Sequence, residues 1–450
     1  MRQLYHPVIH DASTPVESYW EATAGPPVEG WSPLAGDASC DVAIIGGGYT
    51  GLSAALHLAR DHGVDVRVLE AGVPAWGASG RNGGFATRGS SKLSYQELLR
   101  RFGRDALRHF HATQVESSDL VAALAEEEGF EIDASPKGEV YVAHKPNRMA
   151  EMAAERDFQR DVLDQPSEVW SRAELAERAY AGPEAFGALY TPVGFGLHPL
   201  KYCRGLAGAA IRRGAVVHGH SKVLKWERQG SRHRLITAGG TVTAGHVIVA
   251  TAGFTQEGLH PAFNGVLLPV LTNIVTTRPL TQAEREAQGW RTEMVISDSR
   301  NLLFYYRLLK DGRFMLGARG GLDASPDGAA TMRRWMERRL GEMYPAWKGI
   351  ETTHFWRGLT DLSADLLPHL GRLPDEPSVS YALAYHGNGV AMGTWAGRYL
   401  ARDLVGRNDA SGSSAPVIMS QPLRRFPMPG LRKAYLRAAY MWFEASDRFL

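Results

Sequence analysis

The stretch CDVAIIGGGYTG, residues Cys40 to Gly51, places a short apolar run directly before three consecutive glycines. The run over 42–45 is entirely apolar, which is typical of a strand buried on both faces of a parallel sheet. Apolar residues then recur at helical spacing over 52–59, and a second largely apolar run follows at 64–69. The pattern predicts a strand, a glycine turn, a helix and a second strand, which is the beginning of an α/β domain.

Gly46, Gly48 and Gly51 match the spacing G-x-G-x-x-G between that strand and that helix. In such a turn the first glycine allows the tight bend, the second lets a pyrophosphate approach the main chain, and the third lets helix and strand pack closely. The phosphates then lie at the helix N-terminus, where free N–H groups and the dipole favour negative charge. Glu70 lies about 20 residues further on, where an acid accepts the ribose hydroxyls and repels the 2′-phosphate of NADP. The alternative is a plain glycine turn between buried elements, which would not require Glu70.

A second glycine-rich segment, GASGRNGG, covers Gly77 to Gly84, and four of its eight residues are glycine. Such a density indicates a close approach to the main chain or positive φ angles. A bound NAD would not need this second cradle, whereas the ribityl and diphosphate portion of a flavin would. The alternative is a flexible surface loop.

The composition is that of a globular protein with more than one core. Of the 450 residues, 44% are hydrophobic and 22% are charged, so we expect two domains. The net charge of +2 gives no overall field to attract nucleic acid. The two cysteines, Cys40 and Cys203, cannot form a disulfide framework and suit a cytoplasmic location. We see no signal peptide and no run of about 18 apolar residues, so we expect no membrane span.

The rest of the chain alternates between two kinds of pattern. Extended, β-branched and aromatic segments alternate with helical patterns and suggest an antiparallel sheet with helices on one side. A return to α/β character in the middle of the chain indicates that the nucleotide domain is discontinuous. The segment 409–416 is predicted to be a surface loop. The helical patterns lie at 94–128, 146–162, 200–213 and 328–343, and the extended ones at 139–143, 215–227, 246–253, 266–277, 302–309 and 313–318.

Six segments together resemble the D-amino-acid-oxidase-like flavoprotein superfamily, and within it the gamma-glutamylputrescine oxidase and sarcosine oxidase branch. They are DVAIIGGGYTGLSAALHLA, WGASGRNGG, GFGLHPLKYCRGLAGAA, VIVATAGFT, LPHLGRLP and YHGNGVAMG. The resemblance implies a discontinuous Rossmann-like domain for FAD and an α+β substrate domain with an antiparallel sheet. The implied FAD domain covers 1–95, 184–258 and 352–420, the substrate domain 96–183 and 259–351, and a C-terminal docking helix 421–450.

The resemblance also implies which residues bind FAD. The diphosphate would be bound by Gly46, Gly48, Thr50 and Gly51, and the adenosine ribose by Glu70. Ser79 and Arg81, Asn82, Gly83 and Gly84 would lie beside the ribityl chain and the flavin ring, and the main chain of Val223 would meet the adenine. Gly387, Asn388, Gly389 and Val390 open a helix whose N-terminus would face flavin N1 and O2. Further predicted cofactor contacts are Tyr49, Ala71, Gly77, Ala78, Ala252, Gly253 and Gly358.

Three departures from the family pattern bear on the substrate, on the attachment of the flavin and on the electron acceptor. Sarcosine-oxidase-like members carry a lysine for the substrate carboxylate where this chain has Ala391, which argues against sarcosine or a simple amino acid. The cysteine that tethers flavin in some relatives falls near Gly358 and Leu359, so we expect non-covalent FAD. No oxygen-activating lysine is apparent around 302–304, which leaves O2 or an electron carrier as the acceptor.

Candidate catalytic side chains come from three further segments. In the extended segment 302–309, a period of two places Tyr305 and Arg307 on one face, near the substrate or simply in sheet packing. Trp356 in HFWRGLTD is a candidate for the ring region, with a core tryptophan as the alternative. His386, just before the late glycines, is a candidate for flavin or substrate contact, or else a structural histidine. No metal-ligand spacing is present.

The function predicted from the sequence is an FAD-dependent amine oxidase. Hydride would pass from the α-carbon of a primary or secondary amine, such as a gamma-glutamylated polyamine, to flavin N5, and the imine would hydrolyse to an aldehyde. The alternatives are a D-amino-acid or sarcosine-type dehydrogenase that passes electrons to a carrier, an NAD-dependent hydroxy-acid dehydrogenase, and a scaffold without turnover. The basic amphipathic C-terminal segment is expected to dock on its own domain, with a membrane surface as the alternative.

Overall fold

The computed structural model describes residues 4–406 and 414–449, so most of the predicted loop at 409–416 lies outside the described residues. The first of two large sheets is built around the predicted strand–helix–strand unit, and we call it the nucleotide sheet. Its four central strand pairs are parallel, as in an α/β domain, and an antiparallel strand closes one edge. Its strands, in spatial order, are His369–Leu373, Glu376–Leu383, Thr241–Val249, Ala38–Ile45, Val66–Leu69 and Val216–His218. Arg232–Ile236 also pairs with Thr241–Val249, and Lys225–Gln229 pairs with Arg232–Ile236.

The second sheet has eight strands and carries the aromatic segments of the sequence. All its neighbouring strands are antiparallel except one pair, Val295–Asp298 with Glu139–Val142, which is parallel. The sheet is therefore mixed rather than wholly antiparallel. Its spatial order is Thr352–Ser363, Leu267–Pro279, Arg313–Arg319, Tyr305–Leu308, Val295–Asp298, Glu139–Val142, Gly187–Thr191 and Glu168–Ser171, and a separate short pair joins Phe85–Ala86 to Phe195–Gly196.

Helices cover the faces and edges of both sheets. They are Tyr19–Thr23, Tyr49–His62, Tyr95–Phe102, Arg104–Glu128, Arg148–Leu163, Arg172–Arg178, Pro199–Arg212, Gln282–Ala287, Pro326–Met343, Gly389–Leu404 and Arg432–Phe449. Short 3₁₀ turns lie at Pro7–His10, Ala78–Gly80, Ala252–Phe254, Pro261–Phe263, Pro345–Trp347 and Pro429–Leu431. Within the described residues, none of these helices is long and apolar enough to cross a bilayer.

Several predicted boundaries shift for local reasons. The predicted helix at 94–128 is two helices, because Gly103 between them has a φ of +82°. The predicted strand at 215–227 is interrupted near His220, which has a φ of +48°. Two strands inside the ranges assigned to the FAD domain, Gly187–Thr191 and Thr352–Ser363, pair within the second sheet. The division into domains itself stays a prediction.

The C-terminal helix, Arg432–Phe449, packs on the second sheet. Leu436 and Tyr440 are buried against Leu268 and Val270. Asp447 accepts hydrogen bonds from the backbone N–H groups of Asn301 and Leu302, at 2.8 and 3.0 Å. The helix therefore rests on its own chain, while Met441 and Trp442 on another part of its surface are exposed.

The helices Tyr49–His62 and Gly389–Leu404, which we call the fingerprint helix and the late helix, pack against each other. A Cβ atom at Gly397 of the late helix would collide with the Thr50 carbonyl oxygen and lie 2.7 Å from Ala54 N. The contact thus depends on a missing side chain, as in other close helix packings.

We expect Gly397→Ala to destabilise the protein, because the two helices must move apart to admit a methyl group. Overpacking of this kind costs about 1–3 kcal/mol. Gly208→Ala is the matched control, since its Cβ would meet only the end of the Arg212 side chain at 3.4 Å. In that helix alanine should stabilise by about 0.5–1 kcal/mol. Denaturant unfolding measures both, and equal effects of the two substitutions would contradict the close contact.

Candidate cofactor and substrate site

The fingerprint turn has no room for side chains. Gly46 has a φ of +110°, and a Cβ there would lie 2.5 Å from the Ala250 carbonyl oxygen. A Cβ at Gly51 would collide with the Gly46 carbonyl oxygen, and one at Gly48 would lie 2.6 Å from Ser79 Oγ. Gly48 is also the N-cap of the fingerprint helix and provides no side-chain cap. Ser79 Oγ, from the second glycine segment, accepts the Tyr49 N–H at 3.0 Å. The N–H groups that follow in the first turn of the helix point to the carboxyl edge of the sheet, where a ligand can accept them.

Glu70 is buried beside this turn, where the sequence spacing predicts it. Its Oε2 accepts the Gly47 N–H at 2.7 Å. Its Oε1 accepts the N–H of Gly72, which follows Ala71, at 2.9 Å. Burial raises the pKa of Glu70, and the backbone N–H groups oppose that rise. Two fixed hydrogen bonds thus hold the carboxyl group at the end of the second parallel strand.

The second glycine segment folds over the first turn. Asn82 Nδ2 donates to the carbonyl oxygens of Ala78 and Ser79, and Asn82 Oδ1 accepts the Gly84 N–H at 2.8 Å. The Tyr49 hydroxyl, from the fingerprint helix, donates to the Ser79 carbonyl at 2.6 Å. Asn82 Nδ2 also lies 3.1 Å from that hydroxyl, so the two predicted cradles form one hydrogen-bonded unit.

The far end of the segment packs on the second sheet. Gly84 has a φ of +71°, and a Cβ there would collide with the Leu197 carbonyl oxygen. A Cβ at Gly83 would lie 2.8 Å from the Tyr305 ring. Arg307 donates through Nε to the Gly83 carbonyl at 3.3 Å and through Nη2 to the Leu197 carbonyl at 2.5 Å. Tyr305 and Arg307 therefore both contact the segment, as their shared face predicts, and Arg307 holds its main chain.

Arg81 is fixed between the N-terminal half of the segment and the second sheet. Its Nε donates to the Trp76 carbonyl at 2.8 Å, and its guanidinium lies 4.0 Å from the centre of the Trp76 ring. Burial lowers the pKa of Arg81 to about 10, so the group stays charged at neutral pH.

Trp356 Nε1 donates to the Arg81 carbonyl at 2.8 Å, and Gly358 faces the Arg81 side chain from the same strand. Arg357 lies on the opposite face of that strand, bound to Asn273 Oδ1.

The late glycines form a strained turn before the late helix. His386 and Gly387 have φ angles of +54° and +101°. Asn388, the N-cap, makes no cap bond and instead donates through Nδ2 to the Gly89 carbonyl at 2.7 Å. Gly389 begins the helix and Val390 is buried in its first turn. The N-terminus of this helix therefore has no side-chain cap, like that of the fingerprint helix.

His386 itself is buried under this turn. Its Nε2 lies 3.3 Å from Ser363 Oγ, and its Nδ1 has no hydrogen-bond partner among the described residues. Burial lowers the pKa of His386 to about 3, so the ring is neutral at physiological pH. A neutral ring with one unbonded nitrogen can accept or donate one hydrogen bond to a ligand.

Four predicted cofactor contacts lie at the edges of the site. Val223 is buried in the connection after Val216–His218, and the neighbouring Ser221 N–H donates to the Glu70 carbonyl at 2.7 Å. Ala252 and Gly253 form the 3₁₀ turn after Thr241–Val249 rather than the end of that strand. Gly77 precedes the 3₁₀ turn Ala78–Gly80, and a Cβ atom there would lie 3.7 Å from the Phe254 ring.

One residue of the site was missed by the sequence analysis. Trp20, in the N-terminal lead-in that precedes the strand Ala38–Ile45, donates through Nε1 to the Asn82 carbonyl at 2.9 Å, and its ring lies 5.9 Å from that of Trp356. A helical turn carries it, and Ser18 caps that turn by accepting the Glu21 N–H. The Ser-x-x-Glu spacing of a capping box was the available signal for this helix.

The arrangement fits a dinucleotide cofactor on structural grounds. Bare main chain lies at two adjoining turns, uncapped helix N-termini face them, and a buried carboxyl group closes one end. These features match, in order, a close pyrophosphate, its negative charge and a pair of ribose hydroxyls.

The comparisons with known proteins agree with this geometry. The family model described as FAD dependent oxidoreductase matches residues 41–402. A probable oxidoreductase OrdL from Rhizobium meliloti is 30% identical over 97% of this chain and 98% of its own length. The gamma-glutamylputrescine oxidoreductase of Escherichia coli is 30% identical over 91% of this chain and 93% of its own length. The crystal structure of glycine oxidase from Geobacillus kaustophilus has a TM-score of 0.71, 24% identity, and covers 87% of this chain and 100% of its own.

We expect Glu70→Ala to weaken FAD binding by at least about 10-fold, because hydrogen bonds to a charged group contribute about 1.5–3 kcal/mol. The substitution also leaves the N–H groups of Gly47 and Gly72 without their acceptor. Titration of apoprotein with FAD measures the dissociation constant. Glu131→Ala, at an exposed site, is the matched control and should leave affinity unchanged. Unchanged affinity in Glu70→Ala would contradict the assignment.

We also expect His386 to lower stability at acid pH. Burial depresses its folded-state pKa from 6.5 to about 3. The unfolded chain therefore takes up a proton below about pH 6.5 that the folded protein does not, at a cost of up to about 1.4 kcal/mol per pH unit. The free energy of unfolding of His386→Asn should thus fall less steeply than that of wild type between pH 6.5 and 4.

Urea unfolding at several pH values tests this expectation. His6→Asn, which replaces an exposed histidine, should keep the wild-type slope. Parallel curves for wild type and His386→Asn would show that the ring is already charged in the folded state.

Proposed function

Since the chain belongs to the family of FAD-dependent oxidoreductases, which it matches over residues 41–402, we propose that it oxidises a primary or secondary amine whose carboxylate lies far from the reacting nitrogen. A gamma-glutamylated polyamine is such a substrate. FAD is the cofactor, and when bound it accepts a hydride at N5 from the carbon next to the amine nitrogen. Water then hydrolyses the substrate imine to an aldehyde and ammonia or a smaller amine. Because the cofactor is FAD, the alternative of an NAD-dependent hydroxy-acid dehydrogenase is excluded.

The observation that carries this proposal is the aromatic enclosure of Arg81 to Gly84. Trp20 and Trp356 donate hydrogen bonds to the carbonyls of Asn82 and Arg81, and the Tyr305 ring lies against Gly83. Such walls exclude water from the reacting carbon. Amine oxidation by a flavin requires a neutral amine held in a dry, fixed position, so the protein contributes desolvation and orientation rather than a strong acid or base.

The arginines near this enclosure support an amine rather than an amino acid. Arg307 and Arg81 are both buried and already donate to main-chain carbonyls. Ala391 is fully buried and offers no charge in the late helix. A carboxylate next to the reacting amine would therefore find no unpaired cation among these three residues. A carboxylate far from the reacting amine is accommodated more easily.

The roles of the predicted catalytic residues follow from these contacts. Tyr305 and Trp356 act as walls that position substrate, and Arg307 acts by holding the glycine segment in place. His386, neutral and with Nδ1 unbonded among the described residues, offers a hydrogen bond at the late turn. The E. coli relative named gamma-glutamylputrescine oxidoreductase supports the substrate class.

Anaerobic bleaching of the flavin absorbance tests this function. We expect gamma-glutamylputrescine to bleach the flavin at least about 10-fold faster than sarcosine, glycine or D-alanine, because only its carboxylate is remote from the oxidised amine. Bleaching by an amino acid alone would favour the alternative enzyme, and no bleaching by any amine would contradict the proposal.

The electron acceptor is measured on the same preparations. We expect hydrogen peroxide in amounts equal to the amine consumed when air is admitted. Turnover that requires an artificial dye and yields no peroxide would identify a dehydrogenase that uses a carrier.

A further inference from the structure

The segment that follows the second glycine cradle is held rigidly beside the late helix. Asn388 Nδ2 donates to the Gly89 carbonyl at 2.7 Å. Gln114 Oε1, from the helix Arg104–Glu128, accepts the N–H groups of Gly89 and Ser90 at 2.6 and 3.1 Å. The two side chains that flank Gly89, those of Arg88 and Ser90, are therefore carried on a fixed main chain next to the cofactor site.

Arg88 is buried without adequate hydrogen bonds. Its side chain is 8% exposed, and its Nη2 lies 3.8 Å from Glu139 Oε2. Neither Nε nor Nη1 has a hydrogen-bond partner in the ranges that the structure describes, and the same holds for Ser90 Oγ, which is fully buried. An unmade hydrogen bond of a buried charged donor is costly, so these donors indicate a ligand that supplies oxygen acceptors.

Glu139 brings the opposite charge from the second sheet. It begins the strand Glu139–Val142, and burial raises its pKa, with Arg88 opposing the rise. Tyr141, two residues further along, points to the same side of the sheet. Tyr141 is 37% exposed, so solvent reaches the edge of the sheet beside Glu139. We call Arg88, Ser90, Glu139 and Tyr141, together with Tyr95, the Arg88 cluster.

Tyr95 adjoins the same cluster. Its hydroxyl lies 3.4 Å from His111 Nδ1. Burial raises the pKa of Tyr95 and lowers that of His111, and the charge of Arg88 acts to lower both. The Arg88 cluster therefore contains one carboxylate, one poorly paired guanidinium and donors without a hydrogen-bond partner among the described residues, and Gly89 joins it to the N-terminus of the late helix.

We propose that Arg88, Ser90 and Glu139 bind the zwitterionic head of a gamma-glutamyl group. The α-carboxylate accepts hydrogen bonds from Arg88 Nε and Nη1 and from Ser90 Oγ, and the α-ammonium lies against Glu139. This assignment rests on the proposed function and identifies the end of the substrate that is not oxidised. A carboxylate and an ammonium on one carbon match opposite charges that stand 3.8 Å apart.

A purely structural ion pair explains the same residues less well. Structural pairs of buried arginine and glutamate are close and bidentate, and they leave few donors unbonded. Arg300 illustrates this pattern, with Nη2 2.6 Å from Glu184 Oε2 and Nη1 bound to Asp298 Oδ2. Arg88 instead makes one long contact and keeps two nitrogens for a ligand.

Binding to the holoenzyme by calorimetry tests the assignment without turnover at the remote amine. The probe is L-gamma-glutamyl-n-butylamide, which keeps the zwitterionic head and lacks the amine to be oxidised. We expect Arg88→Gln to raise its dissociation constant at least 10-fold and Ser90→Ala about 3-fold. Arg88→Lys should recover part of the loss. Arg100→Gln, which removes the same charge from a side chain that is 71% exposed, should have no effect.

Two analogues separate the charges of the head. Glutaryl-n-butylamide lacks the ammonium, and 4-aminobutanoyl-n-butylamide lacks the carboxylate. Both should bind wild type at least 10-fold more weakly than the parent. Glu139→Gln should remove the preference for the ammonium and Arg88→Gln the preference for the carboxylate.

Several results would overturn the assignment. They are no binding of the butylamide to wild type, equal binding of the three ligands, or equal losses in Arg88→Gln for all of them. The flavin content of each variant reports whether it has folded. If gamma-glutamylputrescine fails to bleach the flavin while the butylamide binds with these preferences, the proposed function fails and the binding assignment stands.

Discussion

The structure depends on main chain meeting main chain without side chains between them. At Gly46, Gly51 and Gly84 a Cβ atom would overlap a carbonyl oxygen, and at Gly48 it would overlap Ser79 Oγ. These positions form one continuous surface because Tyr49 and Asn82 bond the two glycine segments together. A pyrophosphate can approach such a surface closely, and the uncapped helix N-termini supply its charge complement. Cofactor binding and the packing of the nucleotide sheet are thus consequences of the same absence of side chains.

The same glycine segment also couples the two sheets. Arg307 reaches from the second sheet to the Gly83 and Leu197 carbonyls, and Trp356 donates to the Arg81 carbonyl. Trp20 closes the remaining side from the N-terminal lead-in. The residues that we propose to enclose the substrate therefore also connect the two sheets. A change in the packing of Arg307 or Trp356 must alter the glycine segment, because both side chains donate hydrogen bonds directly to its main chain.

Local patterns in the sequence predict the nucleotide half of the site well. Glycine spacing, strand polarity and the position of Glu70 are set within about 30 residues of one another, and the structure has each in the expected place. The substrate half depends on distant pairings that no local pattern encodes. Arg88 meets Glu139 through different elements, and Thr352–Ser363 joins the second sheet although the two strands that follow it in the chain lie in the first. The parallel pair of Val295–Asp298 with Glu139–Val142 and the place of Trp20 were missed for the same reason.

The strand order of the nucleotide sheet constrains how the chain reaches this structure. Ala38–Ile45 pairs with Thr241–Val249, which in turn pairs with Glu376–Leu383. Contacts between residues so far apart in the chain raise the contact order, and such topologies fold slowly. During synthesis on the ribosome, the phosphate-binding turn emerges early, but its neighbouring strand and the late helix follow hundreds of residues later. The flavin pocket can therefore be completed only when nearly the whole polypeptide has left the ribosome, so cofactor capture is a late event in maturation.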